Sequence, residues 1–400
     1  MHNSDGDGNP IRFIRLARLA HGKATHVTIT APVFHPDNDW WYGMPLVNLI
    51  DALCSECTVS LELTLPTSPH YSYDSDDLYK IGSAITSSAP NLTTLAIKCP
   101  GTIESNLDTF GTSGLACLSS LQHLSSMKLL YEGLGNIESL PQAWSQLSAL
   151  SSLALQATVH ELPVFPVEYC MMPQWRSNLK HLRLNVTGVY IRSSEYAWLT
   201  NLESLHFESD HPFQLTSWYS QLINLKSLTL RCMSYQEQNP QPPELFVQPG
   251  EEVSKLTALQ TLTIDMPHMK IAVDSISSLT SLRELNVYSR EGSEWWASIH
   301  ALSGLTCLRF GPGACPLSGM YEHLTARTKL EMLTALEHLE FLYTGPDEAI
   351  EKRILNSWRC ISSSMASLEM DDEMDSLVML HRGNPGLSVQ FRSSLGHETP

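Results

Sequence analysis

Hydrophobic residues in this chain recur in one phrase, Leu-x-x-Leu-x-(Leu, Ile, Val or Phe), separated by polar, turn-forming stretches. It reads Leu92/Leu95/Ile97, Leu124/Met127/Leu129, Leu150/Leu153/Leu155, Leu179/Leu182/Leu184, Leu202/Leu205/Phe207 and Leu225/Leu228/Leu230. It continues as Leu259/Leu262/Ile264, Leu282/Leu285/Val287, Leu305/Leu308/Phe310, Leu336/Leu339/Phe341 and a degenerate Met365/Leu368/Met370. With the middle hydrophobe as position 1, successive starts lie 32, 26, 29, 23, 23, 34, 23, 23, 31 and 29 residues apart. Four gaps of 23 with longer ones between describe a fixed unit carrying loop insertions; scattered leucine would not keep returning to one phase. Weaker traces stand at Val27-Thr28-Ile29, Leu61-Glu62-Leu63 and Val389-Gln390-Phe391.

Alternation at positions 1 and 3 predicts a short strand, because successive strand residues face opposite sides. The four units of regular length also agree at positions 15, 18 and 21: Tyr196/Leu199/Leu202, Tyr219/Leu222/Leu225, Ile276/Leu279/Leu282 and Ile299/Leu302/Leu305. A step of three suits a short helix or 3₁₀ turn on a return limb. No unit of this size buries its leucines alone, so neighbours must stack into a shared parallel sheet over one continuous core.

This pattern resembles the leucine-rich repeat family, whose phrase is L-x-x-L-x-L-x-x-N/C-x-L in units of about 20–29 residues. The resemblance covers about residues 92–370. It implies an α/β leucine-rich-repeat solenoid of horseshoe form, with a parallel sheet on the concave face and irregular, 3₁₀ or short helical segments on the convex side. Ile137-x-x-Leu140-Pro141-x-x-Trp144-x-x-Leu147-x-x-Leu150 looks like the intracellular type. The departure is the asparagine five residues after position 1, where this chain has Thr158, Thr187, Asp210, Met233, Pro267, Arg290 and Gly313. The buried asparagine ladder of regular members is mostly missing, so less uniform turns are expected. The domain reading is an N-terminal cap with degenerate repeats over 1–90, repeats over 91–371, and a C-terminal cap or frayed tail over 372–400.

Between the repeats, Pro45 to Cys54 is amphipathic and predicts a helix carrying Asp51, whereas Pro66 to Asp77 reads as a loop by composition. Ile11 to Ala20, with Arg12, Arg15 and Arg18, reads as a capping helix with a basic face; a mitochondrial presequence is the alternative. The turn at His35–Asp39 followed by Trp40-Trp41-Tyr42 reads as a plug over the first repeat. Ser234 to Glu252 reads as a protruding Pro- and Gly-containing loop, with Leu245-Phe246-Val247 docking on the body. A second insertion, Gly311 to Leu330, runs into a helical-looking Met320 to Leu333, and Glu369 to Asp375 is an acidic solvated run.

Composition adds limits. The 59 leucines among 400 residues are an excess that the repeat explains, and they supply a large core. Lys and Arg number 25 against 42 Asp and Glu, a net charge of −17. That balance argues against general nucleic-acid binding, which needs clustered cations. No apolar run is long enough to span a bilayer, and Met1 to Asn9 carries Asp5 and Asp7 and no apolar core of a secretory signal. The nine cysteines then read as reduced thiols in a cytoplasmic, nuclear or cytoskeleton-associated protein. Cys54-x-x-Cys57 lacks the second pair that a zinc ribbon needs. There is no phosphate-binding G-x-x-x-x-G-K-[ST], no G-x-S-x-G and no H-E-x-x-H, so no catalytic residue, cofactor or metal is assigned.

If positions 1 and 3 are buried, positions −1, 2 and 4 face outward. Lys98, Lys128, Arg183 and Arg231 come early on that face, and Glu340, Glu369 and Asp371 come late. His181, Arg183, Asn185, His206 and Arg231, with Tyr288 as an aromatic anchor, form the candidate partner-binding set. Arg and Tyr are over-represented at interface hot spots. The expected partner is a protein presenting an acidic or carboxylate-bearing segment, bound by a monomeric, non-catalytic scaffold through this face or the long insertions. Two other readings follow from the resemblance. One is the substrate-receptor subunit of a ubiquitin ligase, although no F-box-like Leu-Pro-x-Glu helix precedes Ile11. The other is a cytoskeleton- or cilium-associated protein.

Overall fold

The structure is a computed structural model that describes residues 24–30, 44–65, 75–99, 112–131, 142–158, 177–187, 199–209, 221–232, 253–265, 276–288, 299, 301–311, 333–343 and 388–393. The chain divides into two compact units, Met1–Leu202 and Glu203–Pro400.

Unit 1 runs β1 (His26–Thr30), α1 (Met44–Leu53), β2 (Ser60–Thr64), α2 (Ser75–Ser88), β3 (Thr94–Cys99), β4 (Ser126–Tyr131), β5 (Ser152–Thr158) and β6 (His181–Thr187). Its strands are parallel and lie in chain order. Register joins Val27, Leu61, Leu95, Met127, Leu153 and Leu182 as successive partners, so the weak traces at Val27 and Leu61 are full rungs. In every one of these strands positions 1 and 3 are buried.

Unit 2 runs β7 (Ser204–Ser209), β8 (Ser227–Cys232), β9 (Thr261–Asp265), β10 (Glu284–Tyr288), β11 (Cys307–Phe310), β12 (His338–Tyr343) and β13 (Ser388–Ser393), again parallel and in chain order. Leu205, Leu228, Leu262, Leu285, Leu308, Leu339 and Val389 share one register position. One expectation is corrected here. The strand beside β12 is Ser388–Ser393, not the degenerate copy at Met365/Leu368/Met370. Gln390 is thus the register partner of Glu340, and the segment expected as a cap or frayed tail contributes a strand.

The return limbs explain the step of three. Leu225 donates its amide to Leu222 O, Leu282 to Leu279 O and Leu305 to Leu302 O, all at 2.9 Å. Position 18 bonds to position 15 in the same way, as in Leu279 to Ile276 and Leu302 to Ile299. Each buried leucine is thus held by a 3₁₀-type bond to the previous one, and the three-residue period turns all of them inward. Longer 3₁₀ segments form at Thr112–Ser120, Gln142–Gln146 and Val253–Lys255. Trp144 is fully buried and donates its indole N–H to Leu115 O at 2.9 Å, which satisfies its polar atom.

From β1 to β6 and from β7 to β12, one carbonyl two residues before position 1 accepts two amides of the next repeat. Lys226 O takes Gln260 and Thr261, Gln260 O takes Arg283 and Glu284, and Arg283 O takes Thr306 and Cys307. Where that residue is Ser or Thr, its hydroxyl joins the ladder, as Ser125 Oγ does to Thr93 O and Thr306 Oγ1 to Arg283 O. Asparagine is also used, at a different place from the family pattern. Asn91 donates to Glu56 O, Asn178 to Ser148 O and Asn201 to Ser177 O, each four residues before position 1.

The expected helix at Pro45 to Cys54 is α1, and Asp51 on it accepts a hydrogen bond from Ser88 Oγ of α2 at 2.6 Å. The expected loop from Pro66 ends earlier than Asp77. Ser75, Asp76 and Asp77 form the first turn of α2, where acidic side chains favour the positive helix end. Their loop-like composition is a helix-start composition. A Cβ on Gly114 would stand 2.0 Å from Ser75 O, so glycine permits α2 to pack on the Thr112–Ser120 segment. The basic segment at Ile11, the Trp40-Trp41-Tyr42 cluster, the Ser234 to Glu252 insertion, residues 312–332 of the second insertion and the acidic run at Glu369 lie outside the described residues.

Candidate functional site

Outward positions carry the polar chemistry, and the parallel register fixes which side chains are lateral neighbours. On β6, His181 and Arg183 are exposed and Asn185 is half-buried. They are alternate residues of one strand, so they emerge on the same side of unit 1. Their register neighbours on β5 are Ser152, Ala154 and Gln156. Earlier in this unit Lys98 of β3 pairs with Glu62 of β2.

In unit 2 the register aligns opposite charges. Glu208, Arg231 and Asp265 are successive partners on β7, β8 and β9. Glu208 is buried, with 6% of its side chain exposed, although position 4 was expected to face solvent. Its carboxylate lies 3.1 Å from His206 Nε2 and 3.9 Å from Arg231 Nη1. Arg231 Nε lies 3.0 Å from Asp265 Oδ2. Burial pushes the Asp265 carboxyl above its usual 3.8; Arg231 pulls it down in part, and Glu208 adds to the rise.

A second cluster stands on β10, β11 and β12. Arg309 bonds Glu284 through Nη1, and donates from Nε to Glu340 Oε2 at 2.9 Å and from Nη1 to Asn286 Oδ1 at 3.1 Å. Asn286 in turn donates to Thr263 Oγ1 at 2.9 Å and Glu284 Oε1 at 3.2 Å. Tyr288 is the register partner of Asp265. Its ring fills the place of a side chain at Gly311: a Cβ there would meet Tyr288 Cδ1 at 2.5 Å and its Cα at 2.7 Å. The sequence reading of Gly311 as the start of an insertion missed this close approach. Burial raises the Tyr288 phenol above 10.0, so the ring stays neutral; the charges of Arg309, Glu340, Asp265 and Arg231 all act on it.

The structure thus brings His206 and Arg231 together around Glu208 and places Tyr288 across β9 from Arg231. His181, Arg183 and Asn185 form their own set on β6. The candidate set read from sequence left out Glu208, Asp265, Glu284, Asn286, Arg309 and Glu340. The signal was present: Glu, Arg and Asp at position 4 of consecutive units, and Asn, Arg and Glu at position 2, alternate along the stacking direction. Strand neighbours about 4.8 Å apart make that alternation a row of lateral pairs.

Cys54 and Cys57 have different surroundings. Burial, with a contribution from Asp51, pushes the Cys54 thiol up to about 11, whereas Cys57 is exposed. Among the described residues no group of three or more His, Cys, Asp and Glu is placed to hold a metal ion. No helix among them is long and apolar enough to cross a membrane.

No family model and no curated protein matches this sequence. Solved leucine-rich-repeat structures do match. A leucine-rich-repeat protein of Leptospira interrogans is similar at 14% identity, over 95% of this chain and 98% of that one, with a TM-score of 0.38. Internalin C2 of Listeria monocytogenes is similar at 14% identity, over 60% of this chain and 74% of that one, with a TM-score of 0.31. The Toll chain in the Drosophila Toll–Spatzle complex is similar at 13% identity, over 92% of this chain but 44% of that one, with a TM-score of 0.45. The register of this chain's own strands establishes the architecture. Parallel strands in chain order, leucines in register and 3₁₀ return limbs are a leucine-rich-repeat solenoid.

Proposed function

We propose that the protein is a non-catalytic protein-binding scaffold that uses the outward strand face of each unit, through His181, Arg183 and Asn185 on unit 1 and through His206, Arg231 and Tyr288 on unit 2. The observation that supports this most is the lateral ordering of that face. Arg231 and Arg309, whose side chains have much rotamer freedom, are already held by carboxylates of neighbouring strands. A surface ordered before contact loses less entropy on binding.

The test is proximity labelling with mass spectrometry in cells expressing the native chain, Arg183→Glu, Tyr288→Ala or Ile223→Ser. Ile223 is 60% exposed and lies on a return limb rather than on the strand face. Loss of labelled proteins from the Arg183→Glu sample, the Tyr288→Ala sample or both, with Ile223→Ser unchanged, is the expected result. Loss confined to Ile223→Ser would move the interface to the return limbs and overturn the proposal.

A further inference from the structure

Arg231 of unit 2 looks, from sequence alone, like part of a patch for an acidic partner. Its surroundings, and those of Arg309, reverse that sign. Arg231 stands between Glu208 and Asp265, and Arg309 between Glu284 and Glu340. Four carboxylates therefore surround two guanidinium groups, and the outward face from β7 to β12 carries a net charge of −2 with His206 and His338 neutral. The arginine charges are spent sideways, within the sheet. Asp265 remains under-compensated, since burial lifts its carboxyl although Arg231 is beside it. Next to Asp265 in register is the neutral ring of Tyr288, fixed against Gly311. An aromatic face beside carboxylates is a receptor for an ammonium or guanidinium group, which gains from the ring quadrupole and the negative charge together.

We propose that the strand face of unit 2 docks a basic segment of a partner protein, with a Lys or Arg head group lying along Tyr288 beside Asp265 and facing the carboxylates that hold Arg309. This rests on the reading of the strand face as the binding surface and gives that surface a sign. Acidic segments are repelled here, because the two cations that would receive them already have two carboxylates each.

A whole-chain charge of −17 attracts any polycation, so the test separates local from global attraction. The probes are a dye-labelled synthetic peptide alternating Lys and Ser, and a matched peptide alternating Glu and Ser. Binding is followed by fluorescence anisotropy on the full chain at about 0.15 M salt, where long-range attraction is screened. Tyr288→Leu with Asp265→Asn removes the aromatic wall and one carboxylate. Thr229→Lys adds a cation at an outward position of β8 and removes no charged residue. Asp51→Asn with Glu56→Gln removes two charges from unit 1 as the control. Each variant is used only after its melting curve matches the native chain, and Thr229→Lys keeps the test decisive where the double variant unfolds.

The expected result is binding of the Lys peptide alone, weakened about tenfold or more by either unit 2 change and less than about twofold by the control. Equal weakening in all three variants would show whole-molecule attraction only and overturn the assignment. Tighter binding of the Glu peptide, or no binding of either, would also overturn it. Those outcomes leave the partner-labelling experiment unaffected, so the failures of the two proposals are told apart.

Discussion

Asp265 shows how one residue acquires an unusual role from its register. It lies beside Arg231, and a carboxylate so placed ordinarily titrates low. Burial outweighs the arginine here, and the carboxyl sits above 3.8. The folded chain therefore binds this proton before the unfolded chain does as the pH falls. Ionised Asp265 opposes folding above its folded pKa. That penalty is relieved as the pH drops from there toward 3.8, the reverse of the usual salt-bridged carboxylate. The expected outcome is that Asp265→Asn, which mimics the protonated group, is at least as stable as the native chain at neutral pH. Its relative advantage shrinks in acid. Urea denaturation of both proteins across this pH range reads the difference, and an advantage that grows in acid would contradict the environment described. The sequence marked Arg231 as a candidate binding cation because residue type was visible there and lateral partners were not. Glu208 and Arg231 are 23 residues apart, and only the register makes them neighbours.

At the scale of elements, the strands and the three-residue return limbs were legible because both are periodic. Periodicity reports which side of an element is buried, and burial dominates the energetics of a repeat. Irregular elements were less legible. The start of α2 was read as a loop, since Ser and Asp serve helix starts and turns alike. The strand after β12 was placed at Leu368 because the phrase was matched on its leucines, whereas Val389 carries the register. The turn asparagines were sought after the strand and are found before it, at Asn91, Asn178 and Asn201. The stacking makes a further expectation. Leu285 is fully buried on β10, between Leu262 of β9 and Leu308 of β11. Leu285→Asp puts an unpaired charge in that shared core, at a cost of about 3–5 kcal/mol or more. Hydrogen exchange followed by mass spectrometry should show protection lost first in β9, β10 and β11, and retained longer toward β7. A uniform rise in exchange through unit 2 would mean that its rungs do not couple mainly to their neighbours.

At the scale of the whole molecule, two electrostatic effects oppose each other. The net charge of −17 makes the folded chain repel itself, which salt relieves. The lateral pairs of Arg309 favour folding, and salt weakens them less, because one of its carboxylate partners, Glu340, is only 13% exposed. At neutral pH the first effect covers the whole chain and the second a few rungs, so added salt should raise the melting temperature. Lowering the pH toward the isoelectric point near 5.3 removes the repulsion but leaves most of the pairs, so the salt effect should vanish or change sign there. A 1 kcal/mol change moves the midpoint by about 2–4 °C for a unit of this size, which calorimetry resolves. A melting temperature that falls with salt at neutral pH would mean that the ion pairs, not the repulsion, dominate the charge balance. Arg309→Met would then remove that fall. Under the expected balance, Arg309→Met lowers the midpoint and leaves the sign of the salt response unchanged.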